Sequence, residues 1–170
     1  DVFDLYPTGL PRKLTLPSPY SAVGPAMVHP SVVYAPNRWM GWRYWMAVTP
    51  YPNNDSQYEN PCILVSQDGE MWEAPAGLVN PVVVKPAGGY NADTELVLSP
   101  DGSRLYLLYR ERITGSANNV RCTESTDGVT WSTPRTILVG AYGSQDYASP
   151  SVWWDAVAGV WRMIAHNLDG

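Results

Sequence analysis

The sequence has few charged residues and no long apolar run. Asp, Glu, Lys and Arg make up 16% of the 170 residues, where an average soluble domain has roughly a quarter. The net charge is −5 and Lys and Arg form no cluster, so the chain offers no surface for the phosphates of a nucleic acid. No apolar run of about 18 residues occurs, and we therefore expect no membrane insertion.

Cysteine and phenylalanine are also scarce. Cys62 and Cys122 form no CxxC and no metal-type spacing, so the sequence predicts no metal site and no cofactor. We expect both thiols to be buried and unpaired, with one disulfide between them as the alternative. A single Phe stands beside 8 Trp and 11 Tyr, so nearly every ring carries a polar edge and suits a half-buried position.

Helix signals are almost absent, and the pattern predicts an all-β chain. Pro and Gly, 16 and 14 in number, interrupt most windows of the sequence, and apolar residues alternate or form short runs typical of strands. Candidate strands lie at 31–35, 42–48, 61–65, 82–84, 95–98, 104–110, 120–124, 135–139, 151–154 and 160–165.

A heptad of the form Ser-x-Asp-Gly-x-x-Trp occurs twice, as SQDGEMW at 66–72 and as STDGVTW at 125–131. This pattern predicts a hairpin in which the Asp caps backbone amides as an Asx-turn and the Gly adopts a positive φ. The Trp then begins the next strand and packs between neighbouring sheets. The predicted structural set, resembling an Asp-box, is Ser66, Asp68, Gly69, Trp72, Ser125, Asp127, Gly128 and Trp131.

The strands fall into repeating units that open at His29, Asp93 and Ser149, at steps of 64 (93 − 29) and 56 (149 − 93). Four short antiparallel strands in each unit predict the blades of a β-propeller. We assign 1–27 to an extended Pro-rich arm or linker, 28–90 to blade 1, 91–147 to blade 2 and 148–170 to the start of blade 3. About two and a half blades cannot close a ring, so we expect further blades beyond this chain. The chain also begins without Met or a visible signal peptide, and we expect its start not to be that of the gene.

Three resemblances follow from these motifs. The heptads resemble a shortened form of the Asp-box hairpin of sialidase-like propellers. The openings HPSVVY and SPSVWW resemble strand starts in the five-bladed propellers of glycoside hydrolase family 43. The block from Gly41 to Glu73 resembles bacteriophage minor tail and tail-tip proteins that carry such a propeller. The last resemblance implies a place in the virion tail, contacts with other tail proteins and a homo-oligomer, with a secreted protein as the alternative.

The resemblance to family 43 also bears on catalysis. In that family the base is an Asp that precedes the first blade's Pro, and the acid is a Glu from the third blade. Here His29 takes the first position, Ser149 and Ser151 occupy the third opening, and Glu95 lies near the position of the auxiliary Asp. The resemblance therefore implies no catalytic residue, and a structural and adhesion protein rather than an enzyme. The alternative is a glycoside hydrolase-like enzyme that acts on cell-surface polysaccharide.

The unit openings supply the candidate ligand site. Because innermost blade strands begin at one end of the channel, we expect His29, Asp93 and Glu95 to converge there, with Asp93 and Glu95 on one face. Tyr147 or Trp42 is the predicted stacking ring for a neutral cell-surface sugar. A purely structural His29 is the alternative. His166 is predicted to lie in a loop.

Overall fold

The computed structural model describes residues 13–141 and 145–168. They form three antiparallel sheets that follow one another along the chain, which confirms the all-β prediction. The first sheet contains β1 (Met27–Trp39), β2 (Trp42–Pro50) and β3 (Cys62–Ser66). The second contains β4 (Gly89–Leu98), β5 (Leu105–Ile113), β6 (Asn119–Ser125) and β7 (Arg135–Leu138), and the third contains β8 (Tyr147–Asp155) and β9 (Val160–Asn167).

In the described part of the chain, short helical turns interrupt this pattern only between β2 and β3. These are the 3-10 turns Pro52–Asn54 and Ser56–Tyr58. No helix within the described ranges is long and apolar enough to cross a membrane. The first twelve residues of the predicted arm lie outside the described residues.

Each sheet opens with the same irregularity in its first strand. His29, Asp93 and Ser149 have φ values of 54°, 52° and 47°. The pairing register of each first strand shifts around that residue, as in a β-bulge. A positive φ is uncommon for residues other than glycine, so its recurrence at the three unit openings identifies a true structural repeat.

The first strands of the three sheets lie side by side and run in the same direction. Thr94 Oγ1 donates to the His29 carbonyl at 2.7 Å, and the Leu96 amide donates to Ser31 Oγ at 3.0 Å. Glu95 joins all three strands, because it accepts from Ser31 Oγ at 2.8 Å on one side and from the Val152 amide at 3.2 Å on the other.

The main core lies between the first and second sheets. Trp45 is 1% exposed and makes an edge-to-face contact with Trp39, with ring centroids 4.9 Å apart. Alternate side chains of the second sheet, including Leu105, Leu107 and Tyr109, pack against this pair. A second cluster, which contains Met46, Cys62, Leu64 and Trp72, covers the opposite face of the first sheet.

The structure tests two further predictions, the strand at 82–84 and the unpaired state of the two cysteines. The strand predicted at 82–84 is wrong: the Asn80 side chain instead binds both the amide and the carbonyl of Ile63, each at 2.9 Å. This side chain satisfies backbone groups that a fourth strand would otherwise pair with, so no strand forms there. Cys62 and Cys122 are buried and unpaired, as predicted.

The two heptads form turns with matching hydrogen bonds. Asp68 Oδ1 accepts from the amides of Glu70 at 2.8 Å and Met71 at 2.9 Å. Asp127 Oδ1 accepts from the amides of Val129 at 2.8 Å and Thr130 at 2.7 Å. The glycine that follows each Asp has a φ near the left-handed region, 79° for Gly69 and 76° for Gly128.

Candidate functional site

A polar cavity of about 440 Å³ opens beside the bulges of the first strands. It is formed at one end of the first sheet, where β1 begins, β2 ends and the chain approaches β3. The second sheet contributes residues from β4 and β5, and the third contributes the start of β8 and the end of β9. The cavity therefore lies where all three sheets meet.

His29 lies between two buried carboxyl groups in this cavity. Its Nε2 is 3.4 Å from Asp93 Oδ1, and its Nδ1 is 3.6 Å from Glu59 Oε1. The His29 side chain is 43% exposed, whereas those of Asp93 and Glu59 are only 6% and 5% exposed. Thr49 Oγ1 also approaches Nδ1, at 3.4 Å. The imidazole is thus open to solvent while both of its ring nitrogens face oxygen atoms.

The second oxygen of Asp93 is occupied by neighbouring strands. Arg110 Nε lies 3.2 Å from Asp93 Oδ2, an ion pair without the angle of a hydrogen bond. The Ser149 amide donates to the same oxygen at 3.0 Å. The Arg110 guanidinium lies over the Tyr90 ring, 5.6 Å from its centroid. Oδ2 therefore anchors the carboxylate, and Oδ1 is the atom that faces His29.

Glu59 is held by the turn that precedes β3. Its amide donates to the Ser56 carbonyl at 3.0 Å, and its carbonyl accepts from the Asn91 amide at 3.1 Å. Burial raises the pKa of the Glu59 carboxyl to about 7, with Asp93 adding to the rise and Arg110 opposing it. A carboxyl with this pKa can both release and take up a proton near neutral pH.

Glu59 was missed by the sequence analysis. A usable signal was present, because Glu59 directly precedes Asn60, Pro61 and a fully buried strand in a chain with few charges. Antiparallel pairing of β1, β2 and β3 places the start of β3 at the same end as His29. His166 was also misplaced, since it lies within β9 rather than in a loop and lines the cavity.

The predicted ligand residues are only partly brought together. His29 and Asp93 share the cavity, but Glu95 lies in a neighbouring cavity of about 540 Å³ with Ser31 and Trp153. The expectation that Asp93 and Glu95 share a face is wrong, because the bulge inserts one extra residue between Ala92 and Glu95 and breaks the alternation.

The two predicted stacking rings lie away from His29. Trp42 pairs with Trp39 at the far end of the β1–β2 hairpin, whereas the His29 end of that hairpin pairs Val28 with Thr49. Tyr147 packs against the apolar cluster of Leu108, Val120 and Cys122. The aromatic residues that do line the cavity are Tyr51 and Tyr90. Within residues 13–141 and 145–168, no group of three or more His, Cys, Asp or Glu is arranged to hold a metal ion.

Comparison with known proteins finds similarity to a carbohydrate deacetylase in sequence and in structure. The chain is 35% identical over 115 residues to the A type blood N-acetyl-alpha-D-galactosamine deacetylase of Flavonifractor plautii. It also superposes, with a TM-score of 0.74 and 26% identity, on the crystal structure of an N-acetylgalactosamine deacetylase from F. plautii in complex with blood group B trisaccharide. No protein-family model matches the chain.

The coverage of these matches is partial. The first comparison covers 65% of this chain but 15% of the curated relative, and the second covers 84% of this chain and 46% of the solved one. The chain thus spans less than half of either deacetylase.

These comparisons overturn the resemblance to phage tail proteins. Both matched proteins are bacterial deacetylases, so the predicted virion location and the predicted structural and adhesion role are wrong. The prediction that the chain is not an enzyme is wrong for the same reason. The error arose because HPSVVY and the Gly41–Glu73 block belong to a fold that serves several functions, and such motifs report the fold alone.

Proposed function

We propose that this chain forms part of a carbohydrate deacetylase that removes the acetyl group from an N-acetylated amino sugar. The observation that carries the proposal is the cavity in which Glu59, whose pKa is raised by burial to about 7, lies 3.6 Å from His29. The similarity in sequence and in structure to N-acetylgalactosamine deacetylase from F. plautii supports this reaction class. The cavity, about 440 Å³ in volume, has room for a sugar ring.

Hydrolysis of an acetamide requires a base for water and an acid for the leaving amine. In the proposed reaction Glu59 takes a proton from a water molecule, and the water oxygen bonds to the acetyl carbonyl carbon. The carbon–nitrogen bond then breaks, and the proton passes to the amine, so that acetate and a free amino sugar are formed. A group with a pKa near 7 suits both transfers, because neither protonation state is strongly favoured at neutral pH.

His29 and Asp93 have supporting roles in this proposal. The exposed imidazole of His29 reaches the substrate side of the cavity and, through Nδ1, faces Glu59. Asp93 Oδ1 faces Nε2 and fixes the ring orientation. This arrangement places a histidine where it can pass a proton between the buried Glu59 and the substrate.

Glycoside hydrolysis is the second candidate, because the cavity contains two carboxyl groups of different character. Glu59 has the raised pKa expected of a general acid, and Asp93 forms an ion pair with Arg110 in the same cavity. This is the enzyme that the sequence analysis gave as its alternative, with cell-surface polysaccharide as substrate. The two reactions release different products, acetate in one case and a new reducing end in the other.

The test is product analysis on oligosaccharides that end in N-acetylgalactosamine or N-acetylglucosamine. We expect the purified protein to release acetate and a free amine without new reducing ends. Glu59→Gln should lower kcat by about 100-fold or more, as loss of a general base does. The matched control is Glu111→Gln, since Glu111 is 14% exposed and pairs with Arg121 at 3.0 Å outside the cavity. New reducing ends without acetate would favour the glycosidase over the deacetylase. If no product forms from any of these sugars, both proposals are rejected.

We also propose that the three sheets are blades of a β-propeller, of the five-bladed type. The repeated bulges and the parallel alignment of β1, β4 and β8 support units at 28–90, 91–147 and 148–170. In this proposal residues 1–27 form the extended arm, and Leu16 packs on the outer face of the first sheet. A crystal structure of the protein should place the sheets around one axis. The homo-oligomer stays a prediction, which sedimentation tests.

A further inference from the structure

Arg110 is the one arginine among the described residues that line the cavity, and no lysine stands beside it there. Its side chain is 16% exposed and lies between the Asp93 carboxylate and the Tyr90 ring. The guanidinium lies over the ring and also forms the ion pair with Asp93, a combination that a lysine ammonium reproduces only in part. The residue is therefore held in one orientation from two directions.

The titratable and charged side chains that share the cavity with Glu59 come from four strands. His29 approaches from β1, Asp93 from β4, Arg110 from β5 and His166 from β9. Tyr51 and Tyr90 complete the titratable side chains of the cavity wall. Asp93 and Arg110 act on Glu59 in opposite directions, because a nearby negative charge favours the protonated carboxyl and a nearby positive charge favours the ionised one.

We propose that Arg110 is a positioning residue of this site, which anchors Asp93 with Oδ1 toward His29 and places a fixed positive charge in the wall of the cavity that Glu59 also lines. Without this charge, Asp93 would be a buried carboxylate held by Ser149 and His29 alone. Glu59 would then face Asp93 without compensation and would hold its proton to higher pH. Arg110 thus acts on the reaction through two carboxyl groups.

The test is the titration of Glu59 followed by NMR in protein labelled with carbon-13 at the glutamate carboxyl, with Glu59→Gln to assign the signal. We expect Arg110→Gln to move the Glu59 midpoint upward by about one pH unit, and Arg110→Lys to restore it most of the way. The matched control is Arg112→Gln, because Arg112 lies on the same strand and pairs with Asp146 at 3.4 Å. A Glu59 midpoint that is the same in Arg110→Gln and in the unchanged protein would overturn the inference.

A second background keeps the test decisive if Arg110→Gln does not fold. In an Asp93→Asn protein the Arg110 guanidinium no longer faces a carboxylate at position 93. Removing the guanidinium from this protein therefore leaves no unpaired charge on residue 93. We expect the Glu59 midpoint to be higher in Asp93→Asn/Arg110→Gln than in Asp93→Asn, and equal midpoints would reject the inference.

The inference depends on the proposed function only in treating the cavity as the active site. Because the titration requires no turnover, a protein that deacetylates none of the sugars but shows the upward shift would reject the proposed function alone. A protein that deacetylates sugars but shows no shift in either background would reject the role of Arg110 alone.

Discussion

The two Ser-x-Asp-Gly-x-x-Trp turns share the hydrogen bonds of their Ser and Asp side chains but have different surroundings. A side chain added at Gly69 would meet only the Tyr44 ring of its own sheet, at 3.8 Å. The same addition at Gly128 would place Cβ 2.1 Å from Cη2 of Trp45, in the core of the preceding sheet. The glycine of the first turn thus lies near its own sheet, whereas the glycine of the second turn is part of the contact between two sheets.

The tryptophans that close the two turns differ in the same way. Trp72 Nε1 donates to the Gly69 carbonyl at 2.9 Å, and its ring covers the outer face of the first sheet. Trp131 packs into the core between the first and second sheets, and its Nε1 is buried without a hydrogen-bond partner among residues 13–141 and 145–168. One sequence motif therefore fixes the turn, while the neighbouring sheet determines what each residue contributes to stability.

We expect the largest difference in stability between the variants Gly128→Ala and Gly69→Ala. Both changes place a side chain at positive φ, which costs about 1–2 kcal/mol. Gly128→Ala also forces Cβ against Trp45, so we expect its free energy of unfolding to fall by about 3 kcal/mol or more in total. Urea unfolding of both variants measures the difference. Equal losses of stability would show that the second turn is not wedged against the core.

The strands and turns could be predicted from the sequence because their causes are local. Alternating apolar residues and the Asp-Gly pairs at 68–69 and 127–128 need no knowledge of distant contacts. The bulges could not be predicted, because a positive φ is uncommon for residues other than glycine and nothing in the local sequence at His29 and Asp93 indicates it. A bulge reverses which face later residues occupy, and this is why the predicted partnership of Asp93 with Glu95 was wrong.

Two residues of the candidate site could be predicted from the sequence, and a third could not. His29 and Asp93 stand at equivalent places in a visible repeat, so the sequence brought them together. Glu59 has no counterpart in that repeat and comes near His29 only through strand pairing within the first sheet. Its unusual pKa arises chiefly from burial, a property that composition and spacing do not report.

We expect a smaller difference in stability between the variants Trp72→Phe and Trp131→Phe. Both changes remove similar ring volume, but only the first removes a hydrogen bond, to the Gly69 carbonyl. The second removes a buried N–H group that has no partner and so relieves a desolvation cost. We expect Trp72→Phe to lose about 1 kcal/mol more stability than Trp131→Phe, measured by urea unfolding. The reverse order would mean that the Trp131 indole nitrogen makes a favourable contact in solution.

The smallest effect concerns the Asp side chains, and it tests what the two turns share. Hydrogen bonds from the Thr130 and Val129 amides lower the pKa of Asp127 to about 2, and those from Met71 and Glu70 lower the pKa of Asp68. A carboxyl whose pKa is lowered by folding contributes stability above its unfolded pKa of about 4, and this contribution is lost as the pH falls toward the folded pKa. We therefore expect the melting temperature of Asp127→Asn to be below that of the unchanged protein at pH 5, and the gap to narrow between about pH 4 and pH 2. Asp68→Asn should behave in the same way, because the capping bonds are local to each turn. If the difference in melting temperature stays constant with pH for both variants, the carboxylate charge contributes nothing to the turns. If it narrows for Asp127→Asn alone, contact with the neighbouring sheet, rather than the motif, makes the cap effective.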